Sequence, residues 1–203
     1  MTSATFVHLR NCSEFSLSHG VLRIKPMVSQ VAEQGMAAVA LTDQVNLYGL
    51  VKFQKAAFGK GVKPIFGADM FLLDDAEPGN FFSITLLVQN AEGYHNLTEL
   101  ISRAYLQGQS HGIASIQAEW LAEYSNGLIM LSGGLYGDVG GALAVDKNDL
   151  AVRRAKHWQS VFGARDKGGE QRRARPGAVG HCSARPPGAG CLAVTDNGGA
   201  RPR

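Results

Sequence analysis

Apolar positions along residues 5–160 switch repeatedly between a period near 3.6 and runs of strand length, and the switches divide the chain into alternating strands and helices. Phe6-Val7-His8-Leu9 predicts a short strand. Pro26 suits the first turn of a helix whose apolar positions are Met27, Val28, Val31 and Ala32 and which stops at Gly35. Ala37-Ala38-Val39-Ala40-Leu41 is apolar throughout, the pattern of a buried strand, and it ends at Thr42-Asp43. Leu47 to Phe58 predicts a helix with Leu50, Val51, Phe53 and Ala57 on its packed face, closed by Gly59 and Gly61. Lys63 to Phe71 and Phe81 to Val88 predict two further strands. Asn90 is a good cap for a helix through Leu97, Leu100, Ile101 and Ala104. A shorter helix around Trp120-Leu121 leads to the strand Gly127-Leu128-Ile129-Met130-Leu131. Asp149 to Val161 predicts a last amphipathic helix with Leu150, Val152, Ala155 and Trp158 as core positions. This alternation predicts an α/β fold of parallel βα units, with candidate functional residues at the C-terminal ends of strands.

The pattern is lost after Phe162. Residues 163–203 hold nine glycines and four prolines among many Arg and Ala residues, with almost no Leu, Ile or aromatic side chain. Such a composition buries too little apolar surface to offset its ordering entropy, so this segment is expected to be disordered. An Arg/Gly/Ala/Pro/Cys mixture is also what a GC-rich gene yields when read in the wrong frame. The reading is therefore a truncated, frameshifted end, with a genuine basic linker or a nucleic-acid-binding tail as the alternatives. Two regions are expected, a folded one at 5–162 and a tail at 163–203.

Charge sharpens this division. The chain has 20 Lys and Arg against 17 Asp and Glu, a formal net charge of +3. Residues from Val161 onward carry +5 of it, leaving −2 on residues 1–160. The folded region thus offers no electrostatic footprint for nucleic acid, and no nucleic-acid-binding residue is assigned. No apolar run reaches membrane-spanning length, and Met1-Thr2-Ser3-Ala4-Thr5 lacks the basic-then-apolar profile of a signal peptide. Cys12, Cys182 and Cys191 are too few and too scattered for a disulfide framework or a Cys-x-x-Cys zinc site. A reducing cytoplasm is the expected location. Gly133-Gly134 and Gly140-Gly141 lack the context of a phosphate-binding loop.

The candidate chemistry lies in His8-Leu9-Arg10-Asn11-Cys12-Ser13-Glu14-Phe15-Ser16-Leu17-Ser18-His19-Gly20. This run resembles the first motif of the polymerase-and-histidinol-phosphatase (PHP) domain, His/Asp-Leu-His-x-His-Ser/Thr-x-x-Ser-x-x-Asp-Gly. Two His residues two apart on a strand end point the same way and suit zinc, manganese or iron. Here Arg10 and Cys12 stand at the two His positions, and His19 stands at the Asp. Four further segments resemble the family in order and spacing: Ala40 to Gly49, Gly61 to Asp69, Asn90 to Leu97, and Gly127 to Gly134. Together, over about 160 residues, the five are similar to the N-terminal PHP domain of bacterial replicative DNA polymerase III alpha subunits.

The resemblance implies a distorted seven-stranded (β/α) barrel, of which this chain would cover about the first five units, an incomplete PHP barrel followed by the tail. In active PHP domains a His/Asp/Glu cluster holds up to three metal ions, zinc or manganese, for phosphoester hydrolysis. Carried over by position, His8, Cys12, Asp43 and Asp69 are the vestigial ligands, while Arg10, Gln44 and Ser83 occupy positions whose ligands have been replaced. Gly134 stands where a Cys is common. A guanidinium cannot be deprotonated to bind metal, so Arg10 is expected to pair with Asp43 or Asp69. Cys12 is read as a small packing residue, Ser13, Glu14 and Ser16 as caps of the following turn, and His19, His95, His111 and His157 as surface or loop residues. No catalytic residue and no resident cofactor are expected.

The functional reading implied is a non-catalytic scaffold at the start of a replicative polymerase subunit. The whole polymerase would act on DNA with magnesium held in a separate palm, and would assemble with the proofreading exonuclease subunit and the sliding clamp, with no membrane partner. The alternatives are a PHP-type metal-dependent phosphoesterase and the error-prone alpha-subunit paralogue of translesion synthesis.

Overall fold

The structure is a computed structural model that describes residues 6–74, 79–110 and 112–163. The expectations for the tail from residue 164 onward, and for His111, lie outside these residues.

The chain order is α1 (Ile24–Glu33), β1 (Ala38–Gln44), α2 (Leu50–Gly59), β2 (Lys63–Leu73), β3 (Phe81–Val88), α3 (Ala91–Leu106), β4 (Gln109–Ser110), β5 (Ile113–Ile116), α4 (Ala118–Glu123), β6 (Leu128–Leu131), α5 (Asp138–Ala144) and α6 (Asn148–Phe162). Two short 3-10 turns lie at Glu14–His19 and Gly134–Tyr136. The expected strand at Phe6 to Leu9 is reduced to one parallel bridge, His8 with Val39. Beyond it the chain still runs beside β1, where Ala40 N donates to His8 O and Thr42 N to Asn11 O. Asn90 caps α3 as its sequence predicts, its side chain accepting from Gly93 N at 2.9 Å.

The sheet is mixed rather than parallel. Its order is β4-β5-β2-β3-β6, with β1 also paired to β2. β1 and β5 run parallel to β2, but β3 lies antiparallel to both β2 and β6. Residues 74–80 are too few to hold the crossover of about a dozen residues that a parallel neighbour requires, so the chain must turn straight back. β2, 11 residues long, is the hub. Its first seven residues pair with β1, Phe71 and Leu72 pair with β5 on the same edge, and Gly67 to Leu73 pair with β3 on the other.

Strand alternation divides the core. Val39 and Leu41 face Ile24, Val28, Phe53 and Ala57 of α1 and α2. Ala40 turns the other way and packs with Ile65, Leu87 and Leu131. A larger cluster joins Met70, Leu72, Ile84 and Leu86 to Leu97, Leu100 and Ala104 of α3, with Leu121 and Trp158. Three helix positions differ from the pattern. Val51, Val152 and Ala155 are exposed, and Ala151 instead joins Trp158 as a buried residue of α6. β4, β5 and α5 are not signalled by periodicity. In α5 Gly140 is a close-packing position rather than a breaker: a Cβ there would come within 1.9 Å of the Gly134 carbonyl oxygen, whereas one on Gly141 would make only an ordinary contact, 3.5 Å from the Leu135 carbonyl oxygen.

Candidate functional site

Two buried carboxylates mark the C-terminal half of the β1–β2 pair, Asp43 and Asp69, 2% and 5% exposed. The register sets Gln44, not Asp43, opposite Asp69. Because side chains alternate, the two carboxylates leave the sheet on opposite faces. Asp43 shares the α1–α2 face with Val39 and Leu41. Asp69 continues the inner row of Ala40 and Ile65. They build two separate arrangements rather than one ligand set.

Asp43 sits in a cage of donors. Its Oδ1 accepts from Ser13 N at 2.6 Å and from the Ser16 hydroxyl at 2.6 Å, and its Oδ2 accepts from the Ser13 hydroxyl at 2.8 Å. The same two hydroxyls also accept, Ser13 from Phe15 N at 3.2 Å and Ser16 from Gln44 N at 3.0 Å. Ser13 therefore caps the turn as its sequence suggests, and both serines clamp the strand-end carboxylate as well. Gly49 closes the cage, since a Cβ there would stand 3.3 Å from Asp43 Oδ2 and 2.9 Å from Ile24 Cδ1. Backbone strain gathers nearby, with Leu17 at φ 50° and the buried, β-branched Val45 at φ 47°.

Asp69 is held by a different set. Arg10 Nε donates to Oδ2 at 2.7 Å, and Thr85, its cross-strand partner on β3, donates its hydroxyl to Oδ1. Cys12 Sγ lies 3.7 Å from Oδ2 and 3.6 Å from the Thr42 carbonyl oxygen. Between two acceptors, that sulfur acts as an S–H donor rather than as a thiolate ligand. Burial pushes the Asp69 carboxyl above its ordinary value, against the pull of the Arg10 guanidinium, the Thr85 hydroxyl and the Cys12 thiol.

The other candidates stand apart from this pair of sites. His8 is exposed, its ring edge-on to Phe6 with centroids 4.8 Å apart. Gln44 contributes backbone: its N–H reaches Ser16, and its carbonyl accepts from Asn46 Nδ2 at 2.9 Å. Ser83 shares a face with Thr85 but stands opposite Phe71, two pairs along the ladder from Asp69. Gly134 opens the 3-10 turn after β6. The motif comparison does not mark Thr85, although a β-branched hydroxyl two residues after Ser83 on the same strand face is a legible signal for a carboxylate partner.

A PHP-type metal does not fit these residues. Both oxygens of each carboxylate already accept protein donors, and a permanent cation occupies the approach to Asp69. Among the described residues no three His, Cys, Asp or Glu side chains are grouped to hold a metal ion.

Comparison with known proteins agrees with the motif resemblance. The model of the PHP domain matches residues 8–174, running past Phe162. The chain is 49% identical over 159 residues to the DNA polymerase III subunit alpha of Pseudomonas fluorescens, covering 78% of this chain and 14% of that protein. It is 46% identical over 162 residues to the subunit alpha of Escherichia coli, covering 80% and 14%, and 44% identical over 162 residues to that of Vibrio cholerae, with the same coverage. The chain thus spans about 14% of the length of the relatives it matches. With the family match extending over most of its length, from His8 past the end of α6, this chain belongs to the PHP domain family.

Proposed function

We propose that the chain is the N-terminal PHP region of a bacterial DNA polymerase III alpha subunit, acting there as a scaffold without chemistry of its own. The likeness to three alpha subunits over about four-fifths of the chain supports the first half of this reading. One observation carries the second half: Arg10 Nε is seated 2.7 Å from Asp69, where the family's motif has a metal-ligating His. A fixed guanidinium gives the carboxylate its counter-charge without a metal, and it supplies no activated water. The whole subunit would extend primers on DNA with magnesium bound in a separate palm. Its partners would be the proofreading exonuclease subunit and the sliding clamp, in the cytoplasm. No helix among the described residues is long and apolar enough to cross a membrane.

The competing reading, a PHP phosphoesterase, requires a metal cluster. Inductively coupled plasma mass spectrometry of protein purified without chelators, paired with p-nitrophenyl phosphate hydrolysis, separates the two. The scaffold reading expects well under one tightly bound metal per chain and no turnover. Two or more metals per chain with phosphatase activity would overturn it. The relatives compared above, all named as DNA polymerase III subunit alpha, favour that reading over the error-prone paralogue. Primer extension should be absent from the 203-residue chain, and extension that survives purification from a polymerase-deficient host would refute that.

A further inference from the structure

α2 turns outward a face that the hydrophobic pattern assigns in part to the core. Tyr48, in the turn leading into the helix, is 72% exposed, Val51 61% and Phe58 64%. With Lys55 these residues recur at steps of three, four and three, which sets them in one stripe along the helix. The opposite face is anchored, since Phe53 and Ala57 are fully buried against α1 and β1. The stripe is therefore a settled surface.

Its charge is one-sided. Residues 46–63 contain Lys52, Lys55, Lys60 and Lys63 and not one Asp or Glu. Glu14 pairs with Lys52 at 2.7 Å, whereas no carboxylate among the described residues lies within 4.0 Å of Lys55, Lys60 or Lys63. This positive concentration sits on a folded region whose residues 1–160 sum to −2.

We propose that the α2 stripe is a docking surface for an acidic polypeptide segment with apolar anchors, laid along the helix. Its apolar side chains would cover Tyr48, Val51 and Phe58, and its carboxylates would meet Lys55 and Lys60 at the rim. A single-stranded nucleic acid fits less well, because it needs a track of cations and stacking rings, and aliphatic Val51 stands between the two aromatics. A second copy fits less well again, because a two-fold contact would bring the same lysines against each other. The inference rests on the fold and does not depend on the Arg10–Asp69 site.

The test begins with selection of phage-displayed random dodecapeptides on the full 203-residue chain. A fluorescein-labelled peptide of the enriched sequence is then titrated by anisotropy against the parent chain, Val51→Asp, Phe58→Asp, Lys55→Glu, and Lys156→Glu on α6 as a control of equal charge change. All these positions are exposed, and circular dichroism confirms folding. Enriched peptides should combine Asp or Glu with Leu, Phe or Trp. Their binding should weaken about tenfold or more in the three stripe variants and hold in Lys156→Glu. Absence of enrichment, enrichment of basic peptides, or equal weakening by Lys156→Glu would overturn the proposal. So would oligothymidylate binding that Lys55→Glu abolishes, or a concentration-dependent dimer in sedimentation velocity that Phe58→Asp dissolves.

Discussion

Arg10 and Asp69 stand 59 positions apart in the chain and are joined by a 2.7 Å charge-assisted hydrogen bond, with Asp69 almost fully buried and Arg10 about a quarter exposed. The pair ties the N-terminal segment to the middle of β2, a contact that neither element's local pattern would enforce. Replacing Arg10 with Ala leaves a buried carboxylate with its hydroxyl and thiol partners but no cation. Breaking a buried pair costs roughly 3–5 kcal/mol, and the partial exposure of Arg10 lowers this to about 2 kcal/mol. Urea unfolding should show this loss, and adding Asp69→Asn should recover part of it. Arg10→Ala within about 0.5 kcal/mol of the parent would show that the pair does not stabilise the fold.

Asp43→Ala should be the more damaging change. It strands three donors, the Ser13 amide and the Ser13 and Ser16 hydroxyls, inside a closed cage. Unsatisfied buried donors cost about 1–3 kcal/mol each before relaxation, so a total near 3 kcal/mol is expected. Ser16→Ala, which removes one donor and the acceptor for Gln44 N, should cost about 1 kcal/mol. If Asp43→Ala proved as mild as Ser16→Ala in the same denaturation series, water would be satisfying the cage.

Acidity should act through Asp69 in a stated direction. Burial raises its carboxyl above the ordinary value despite Arg10 and Thr85. A group whose folded-state value is raised binds its proton more tightly in the folded chain. Its stabilisation is complete below the unfolded value and is lost as pH rises through the folded one. The stability of the parent relative to Asp69→Asn should therefore be greatest at the acid end and decline as pH rises through the folded-state value before levelling. Paired urea midpoints from about pH 3 to about pH 8 measure this, and a parent advantage that grows with pH would reverse the assignment.

Metal affinity should return only in part when ligands are restored. Arg10→His, Cys12→His and Gln44→His together place imidazoles on the segment that flanks Asp69 and on the strand position facing it. Zinc titration calorimetry should detect binding in the triple variant that the parent lacks, yet weaker than a complete site, because Ser83 supplies no imidazole. Zinc binding by the parent equal to that of the triple variant would mean that Arg10 does not block the site.

Much of this architecture is legible in the sequence, for identifiable reasons. Asn90 predicts its cap because the capping bond is local, three residues long. Arg10 predicts a carboxylate partner because a permanent cation stands at a ligand position beside two acidic strand ends, although the choice of Asp69 over Asp43 as the pairing seen at 2.7 Å depends on strand register. The parallel sheet expected from alternating elements misjudges β3, where the short 74–80 connection is the overlooked signal. Val51 appears in a core stripe because periodicity alone cannot say which apolar residues a neighbour covers. β5 and α5 go unseen because one is four residues long and the other is a seven-residue helix whose Gly140 is explained only by its close tertiary approach to Gly134.

β2 touches three other strands, and that makes it the element on which the order of assembly turns. Its pairings with β1 and β3 overlap at Gly67, Ala68 and Asp69, so those backbone groups are enclosed from both edges at once. Neither flank can dissolve without exposing the other's hydrogen bonds, which makes the centre of β2 the last part of the sheet to exchange its amide hydrogens with solvent. Because β1, β3 and β5 reach it from sequence distances both short and long, the chain must close large loops before the strand is fully paired. Folding should accordingly be slow for a domain of this size, and governed by when β2 is captured rather than by when any helix forms.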